Sequence, residues 1–314
     1  MLIDGASFVV LGVSWKAGRS PHRTRDRQLE SVWQSDDLAA LAGLIERATE
    51  DFLDESSEGN TGDAIRRRYG ELRLGWWPVV LFLPARLGFA ALAQAVTAIL
   101  LAGLGSETPW ERAAACWPIY SGITDLLCLG TLVLLTRRER LRVGDLFGVS
   151  DWRAAARQLL WTPLALLAVA PGAVAANLIT VSFYGSELPP MISIVNLPPI
   201  GVAYTLVVWP ILWVVTEELV YLGFLLPRLE ALTRRTWIAV SLVILFWGVQ
   251  HVAIPFLPDE TYLVSRVTAA LAAIGLFPIA FVLFRRRLMP FIGVHYLADL
   301  ATAFLATLGP RLVS

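Results

Sequence analysis

The sequence predicts an all-α, polytopic membrane protein of about seven transmembrane helices, preceded by a small amino-terminal helical segment on the cytosolic side. Three observations carry that expectation. The 314 residues are 56% hydrophobic and 17% charged, with a mean hydropathy of +0.61, a balance foreign to soluble domains. From residue 76 onward, seven apolar stretches approach the roughly 20 residues needed to cross a bilayer. The arginines crowd alternate connections between those stretches.

Residues 1–75 read as a polar extension and residues 76–314 as the transmembrane domain. The opening MLIDGASFVVLGV has an apolar run but carries Asp4, with no basic flank and no clear small-residue cleavage site, so no signal peptide is expected. Further on, Ser35 as N-cap, Asp36 and Asp37 in the first turn, and Leu38, Leu41, Ile45, Ala48 and Phe52 on one face predict an amphipathic helix. The linker-like DESSEGNTGD at 54–63 follows it.

The apolar segments are 76–104, 113–136, 158–183, 199–227, 236–257, 262–284 and 288–309. The first and fourth are long enough to tilt or break. Pro78, Pro84, Pro163, Pro171, Pro210, Pro255 and Pro258 mark where spans kink or end. With the amino terminus inside, the inner flanks receive Arg66, Arg67, Arg68, Arg73, Arg137, Arg138, Arg140, Arg142, Arg153, Arg157, Arg228, Arg234, Arg235, Arg285, Arg286 and Arg287. The outer flanks receive only Arg112, Arg266 and Arg311. Sixteen against three is the bias of short cytoplasmic loops, and it places the carboxyl terminus outside.

Net charge is zero and 25 of the 26 basic residues are arginine, so no basic excess invites nucleic acid. Cys116 and Cys128 stand twelve residues apart on one helix, about 18 Å and too far for a disulfide. No internal repeat suggests the inverted halves of a secondary transporter. The arginine-rich, lysine-poor usage fits a GC-rich prokaryotic genome and hence a plasma-membrane location. The bilayer is one partner, and no oligomeric state is implied.

Adjacent carboxylates, Glu217 and Glu218, sit inside the fourth apolar segment, in WVVTEELVYLGFL. A glutamate there costs roughly 2.5–3.5 kcal/mol to insert, so it marks function by default. Two of the three histidines, His251 and His295, also lie in spans. Each has a partner four residues away on its own helix face: Trp247 for His251 and Asp299 for His295. Three helices therefore bring carboxylates and imidazoles into the apolar interior, the groups that trade protons with water or ligate zinc.

The stretches EELVYLG, WGVQH and HYLAD resemble, in order and spacing, the three motifs of the CAAX prenyl protease and bacteriocin-processing (CPBP, or Abi) intramembrane proteases. These motifs are Glu-Glu-x-x-x-Arg, Phe-x-x-x-His and His-x-x-x-Asn or Asp. The basic RRERLRVGDLFGV is a weaker similarity, and the resemblance covers about residues 135–305. It implies a membrane-embedded endopeptidase in which Glu217, together with His251, activates a water, while His295 and Asp299 steady the oxyanion. Glu218, the second carboxylate of the first motif, belongs to the same catalytic set. Glu217, His251 and His295 are also acceptable zinc ligands, yet no His-Glu-x-x-His helix is present. A divalent metal and a metal-free glutamate mechanism both stay open. The implied substrate is a membrane-associated peptide, either prenylated or of the bacteriocin type.

Two positions depart from the family pattern. Leu222 stands where the first motif has arginine, which would leave Glu218 to take up a proton or find another cation. Trp247 stands where the second has phenylalanine, a swap expected to be mild because either ring packs a helix interface. Counting 1.5 Å per residue from each inner flank puts Arg86 and Glu218 about 15 Å deep and Asp125 about 16 Å deep. Arg86 is accordingly expected to neutralise Asp125 or Glu218. The same count puts His295 about 12 Å and His251 about 24 Å deep, a mismatch for helix tilt to absorb. Leu222 also motivates a second reading, a catalytically inactive membrane scaffold or immunity protein. A third, a proton-coupled or metal-ion transporter, would use Glu217, Glu218, Asp125 and the histidines as a relay.

Overall fold

The computed structural model describes residues 61–313, and side chains as far as residue 308. The amphipathic helix expected over 36–52 and the opening apolar run lie outside the described residues.

Thr61 opens α1 (Gly62–Glu71), its hydroxyl accepting from the Ala64 N–H and satisfying one of the orphan donors of a first turn. Prolines divide the first apolar segment. α2 (Trp77–Phe82) carries Pro78 in its first turn, and α3 (Ala85–Gly103) starts directly after Pro84. α4 (Pro109–Ala115) leads into α5 (Trp117–Arg138), the second span. A 3-10 turn (Val143–Phe147) follows, and Asp145 accepts from the Arg142 N–H at 2.7 Å. Asp151 caps α6 (Trp152–Leu159), accepting from the Arg153 and Ala154 N–H groups. Those backbone bonds, the one from Ala154 foremost, hold the Asp151 carboxyl below its ordinary pKa. α7 (Thr162–Tyr184) is the third span and contains Pro171.

The fourth segment breaks as its length suggested. After α8 (Pro190–Ser193) come α9 (Pro199–Val207) and, past Val208, α10 (Trp209–Glu218) with Pro210 in its first turn. Chain direction is kept through a π-helix (Leu219–Leu225) and α11 (Leu226–Thr233), so the span runs Trp209–Thr233. α12 (Thr236–Val249) and a 3-10 turn (Gln250–Ala253) make the fifth span, α13 (Glu260–Leu283) the sixth, and α14 (Met289–Val313) the seventh. There is no strand among the described residues, and seven helices have the length and composition to cross a membrane. Cys116 and Cys128 are free thiols.

The fourth span is the axis of the bundle. In its most apolar window 83% of residues are buried, against 17–44% in the other six. The outward faces of α3, α5 and α7 expose leucines such as Leu100, Leu126 and Leu167, as lipid contact requires. Arg228, counted above among flank residues, is instead fully buried in this span and pairs with Glu139. Arg73, Arg140, Arg234, Arg285 and Arg286 adopt positive φ just past helix ends. That conformation is unfavourable for a side-chain-bearing residue, but it sets a cation beside the negative end of the helix dipole.

Candidate active site

Neighbouring residues on a helix point about 100° apart, so Glu217 and Glu218, at the last turn of α10, meet different partners. Both are fully buried. The π-helix begins with the next residue, a rare element that recurs at functional sites.

Glu217 is held from two other spans, the first and the fifth. Its Oε1 accepts from Gln250 Nε2 at 2.7 Å and pairs with Arg86 Nε at 3.1 Å. Its Oε2 accepts from Trp247 Nε1 at 2.7 Å. Gln250 cannot turn its amide over, because the Glu217 carboxylate accepts only and needs the NH2 group, which leaves Oε1 to accept from the Tyr221 hydroxyl at 2.9 Å. Tyr221 in turn stacks on Trp247, with ring centroids 5.1 Å apart and planes at 9°.

Glu218 faces the seventh span, where its Oε1 lies 3.1 Å from His295 Nδ1. The other nitrogen of that ring, Nε2, lies 3.6 Å from Asp299 Oδ2 and 3.7 Å from Glu217 Oε2. His295 thus sits among three carboxylates, its ring between Trp247 and Phe277 at 6.0 and 5.7 Å. Glu217, Glu218, His295 and Asp299 converge directly. His251 stands at the margin, one turn past Trp247 on the same face, half-buried, with its ring 6.3 Å from that of Trp213. Its Nδ1 lies 2.8 Å from the Trp247 carbonyl. A carbonyl only accepts, so Nδ1 carries the proton and Nε2 is left as an acceptor.

Arg86 bonds Asp125, one of the two carboxylates expected for it, and it also pairs with Glu217, while Glu218 turns toward His295. One expectation needs correction. The exchange of phenylalanine for Trp247 is not mild: the indole N–H supplies a bond to Glu217 that a phenyl ring cannot make. Gln250 and Tyr221 went unread in the sequence. An amide inside an apolar span beside His251 was the available signal for the first, whereas nothing in YLGF distinguishes Tyr221 from a packing residue.

Residues 198–301, about a third of the chain, match a family model described as type II CAAX prenyl endopeptidase Rce1-like. The chain carries an Rce1-like domain. This agrees with the motif resemblance, and Glu217, Glu218, Trp247, His251, His295 and Asp299 all fall within the match. Arg86 and Asp125 lie outside the Rce1-like domain. No curated protein and no solved structure matches the chain. The family-level reading is a membrane-embedded protease of the CAAX type, acting on a peptide.

Proposed function

We propose that the protein is a glutamate-dependent intramembrane endopeptidase. The observation that carries this reading is the cage around Glu217. Two N–H donors on the fifth span, Trp247 and Gln250, and the Arg86 guanidinium on the first fix its carboxylate, and one lone-pair direction on Oε2 is left on the side of His295. A water bound there and to His251 Nε2 gives up a proton to Glu217 Oε2 as its oxygen attacks the scissile carbonyl carbon. The carbonyl electron pair becomes an oxyanion facing His295, with Asp299 steadying the ring. Collapse of the intermediate breaks the C–N bond, and the proton passes to the leaving amine.

The donor set fits a zinc ion poorly. N–H groups already point at both oxygens of Glu217, and a guanidinium 3.1 Å from Oε1 opposes a second cation. Among the described residues, no three His, Cys, Asp or Glu side chains are grouped to hold an ion. No step here runs through a metal.

As substrate we propose a membrane-associated peptide, with a prenylated Cys-a-a-X terminus as the first candidate and an unprenylated bacteriocin-type peptide as the second. The arginine bias supports an orientation with the amino terminus and Arg140, Arg234 and Arg285 in the cytoplasm of a prokaryotic cell. The test is cleavage of farnesylated and unfarnesylated peptides by protein purified in detergent, followed by mass spectrometry. Turnover is expected to survive a chelator and to fall roughly 10²–10⁴-fold in Glu217→Gln. Turnover abolished by chelation, or unchanged in Glu217→Gln, refutes the assignment. A second reading, an inactive scaffold or immunity protein, draws on Leu222, which is fully buried among apolar residues where the motif has a cation. A scaffold would keep its cellular phenotype in both Glu217→Gln and His251→Ala.

A further inference from the structure

Leu222 lies in the apolar core with no exposure, so the first motif contributes no guanidinium of its own. A guanidinium nevertheless reaches the site. Arg86, in the first turn of α3 and 1% exposed, places Nε 3.1 Å from Glu217 Oε1 and bonds Asp125 through Nη1. Its plane is held 4.5 Å over the ring of Trp213. We propose that Arg86 is a positioning residue for Glu217. It supplies from the first span, outside the Rce1-like domain, the counter-charge that orients Glu217.

The shape of the side chain supports this role. A guanidinium is planar and presents donors on separate edges, so it spans two carboxylates in a fixed geometry, while an ammonium offers rotatable donors from a single point and sets no such angle. Asp125 has no other charged partner among the described residues, and it anchors one edge of the plane. The other edge then lies against Glu217, with Nε 3.1 Å from Oε1 and the Trp213 ring packed on the guanidinium. Removing the guanidinium leaves Glu217 held only from the fifth span, by Gln250 and Trp247, so its carboxylate can shift toward that side. A displacement of about 1 Å at a reacting group can slow turnover about 100-fold. Because Arg86 acts through Glu217 and not on the substrate, the loss belongs in kcat and not in KM.

This inference rests on the proposed function, and the experiment separates the two. Arg86→Leu alone strands Asp125 in the interior, whereas replacing a buried ion pair as a unit by apolar residues is often neutral for folding. The variant to make is therefore Arg86→Leu/Asp125→Leu, assayed beside Glu217→Gln on the same peptide. We expect a monodisperse double variant with a melting temperature close to wild type, kcat lower by about 100-fold and KM within about twofold. Wild-type kcat in the double variant, with Glu217→Gln inactive, overturns the role of Arg86 and leaves the protease reading standing. Activity in Glu217→Gln overturns both. If the double variant does not fold, Arg86→Lys carries the test: kcat is expected to drop about tenfold at unchanged KM, and undiminished kcat refutes the bridging role.

Discussion

At Trp247 one side chain does two jobs: its indole N–H donates to Glu217, and its ring stacks on Tyr221, whose hydroxyl fixes Gln250. Replacing it by phenylalanine separates these jobs, since stacking and volume largely survive while the donor is lost. Trp247→Phe is expected to lower stability by only about 1 kcal/mol, the scale of an interhelical hydrogen bond in a membrane. Turnover should fall about 10- to 100-fold as Glu217 loses its hold on Oε2. Melting in detergent and peptide cleavage measured on one preparation check this, and equal losses in the two would assign Trp247 to packing alone. The contrast also explains which site residues are legible in a sequence. Glu217, Glu218, His251, His295 and Asp299 stand out because burying a charge or an imidazole in an apolar span is costly. Trp247 and Tyr221 look like ordinary membrane aromatics, and only their polar tips give them a role. Those tips acquire meaning from a partner on another helix, 26 to 30 positions away for Trp247–Tyr221 and Trp247–Glu217.

Among the elements, apolar length is written in the sequence and azimuth is not. All seven spans follow from about 20 apolar residues each, and the breaks at Pro84 and Val208 follow from over-long segments bearing prolines. The face that each helix turns to its neighbour depends on close approaches that hydropathy does not encode. Gly172 is the clearest case. It lies one residue past Pro171, where the sequence suggested a kink, yet it is also the point where α7 meets α13. A Cβ on Gly172 would fall 2.6 Å from the Ala272 carbonyl oxygen and 3.1 Å from that of Ala273. Backbone atoms cannot yield as a side-chain tip can, so Gly172→Ala must push the third and sixth spans apart, at a cost of about 1–3 kcal/mol. Gly88 and Gly130 meet nothing within 4 Å and serve as controls. Alanine at either site should be neutral or gain up to about 1 kcal/mol from helix propensity. A Gly172→Ala variant that melts with the controls would mean that this helix pair is not held in close contact.

For the molecule as a whole, the fourth span links the carboxylates of the candidate site to α1. One end of that span carries Glu217 and Glu218; the other, α11, carries Arg228, which grips Glu139 with two bonds of 2.7 Å and lies 4.0 Å over Phe224. Glu139 also takes Arg68 at 3.3 Å and the Tyr69 hydroxyl at 2.9 Å, both from α1. Burial, and then the Glu139 charge, pushes the Tyr69 phenol well above its ordinary pKa, so it remains a donor across the working pH range. None of this could be read from residue order. Glu139 sits in RRERLR and looks like one charge in a solvated loop, and Arg228 looks like a flank arginine, until folding brings together residues 89 positions apart. Glu139→Leu should be costly, about 3–5 kcal/mol, because it leaves Arg228 buried without its counter-charge. Adding Arg228→Met removes the stranded cation and should recover most of that loss, while Arg68 and Tyr69 stay without their acceptor. Melting in detergent should thus separate the single from the double variant. Limited proteolysis between Thr61 and Leu74 should be faster than wild type in both, because α1 is released in each. If cutting slows to the wild-type rate whenever global stability returns, then α1 is held by its apolar face, Ile65 and Ala64, and the Glu139 clamp serves the span alone.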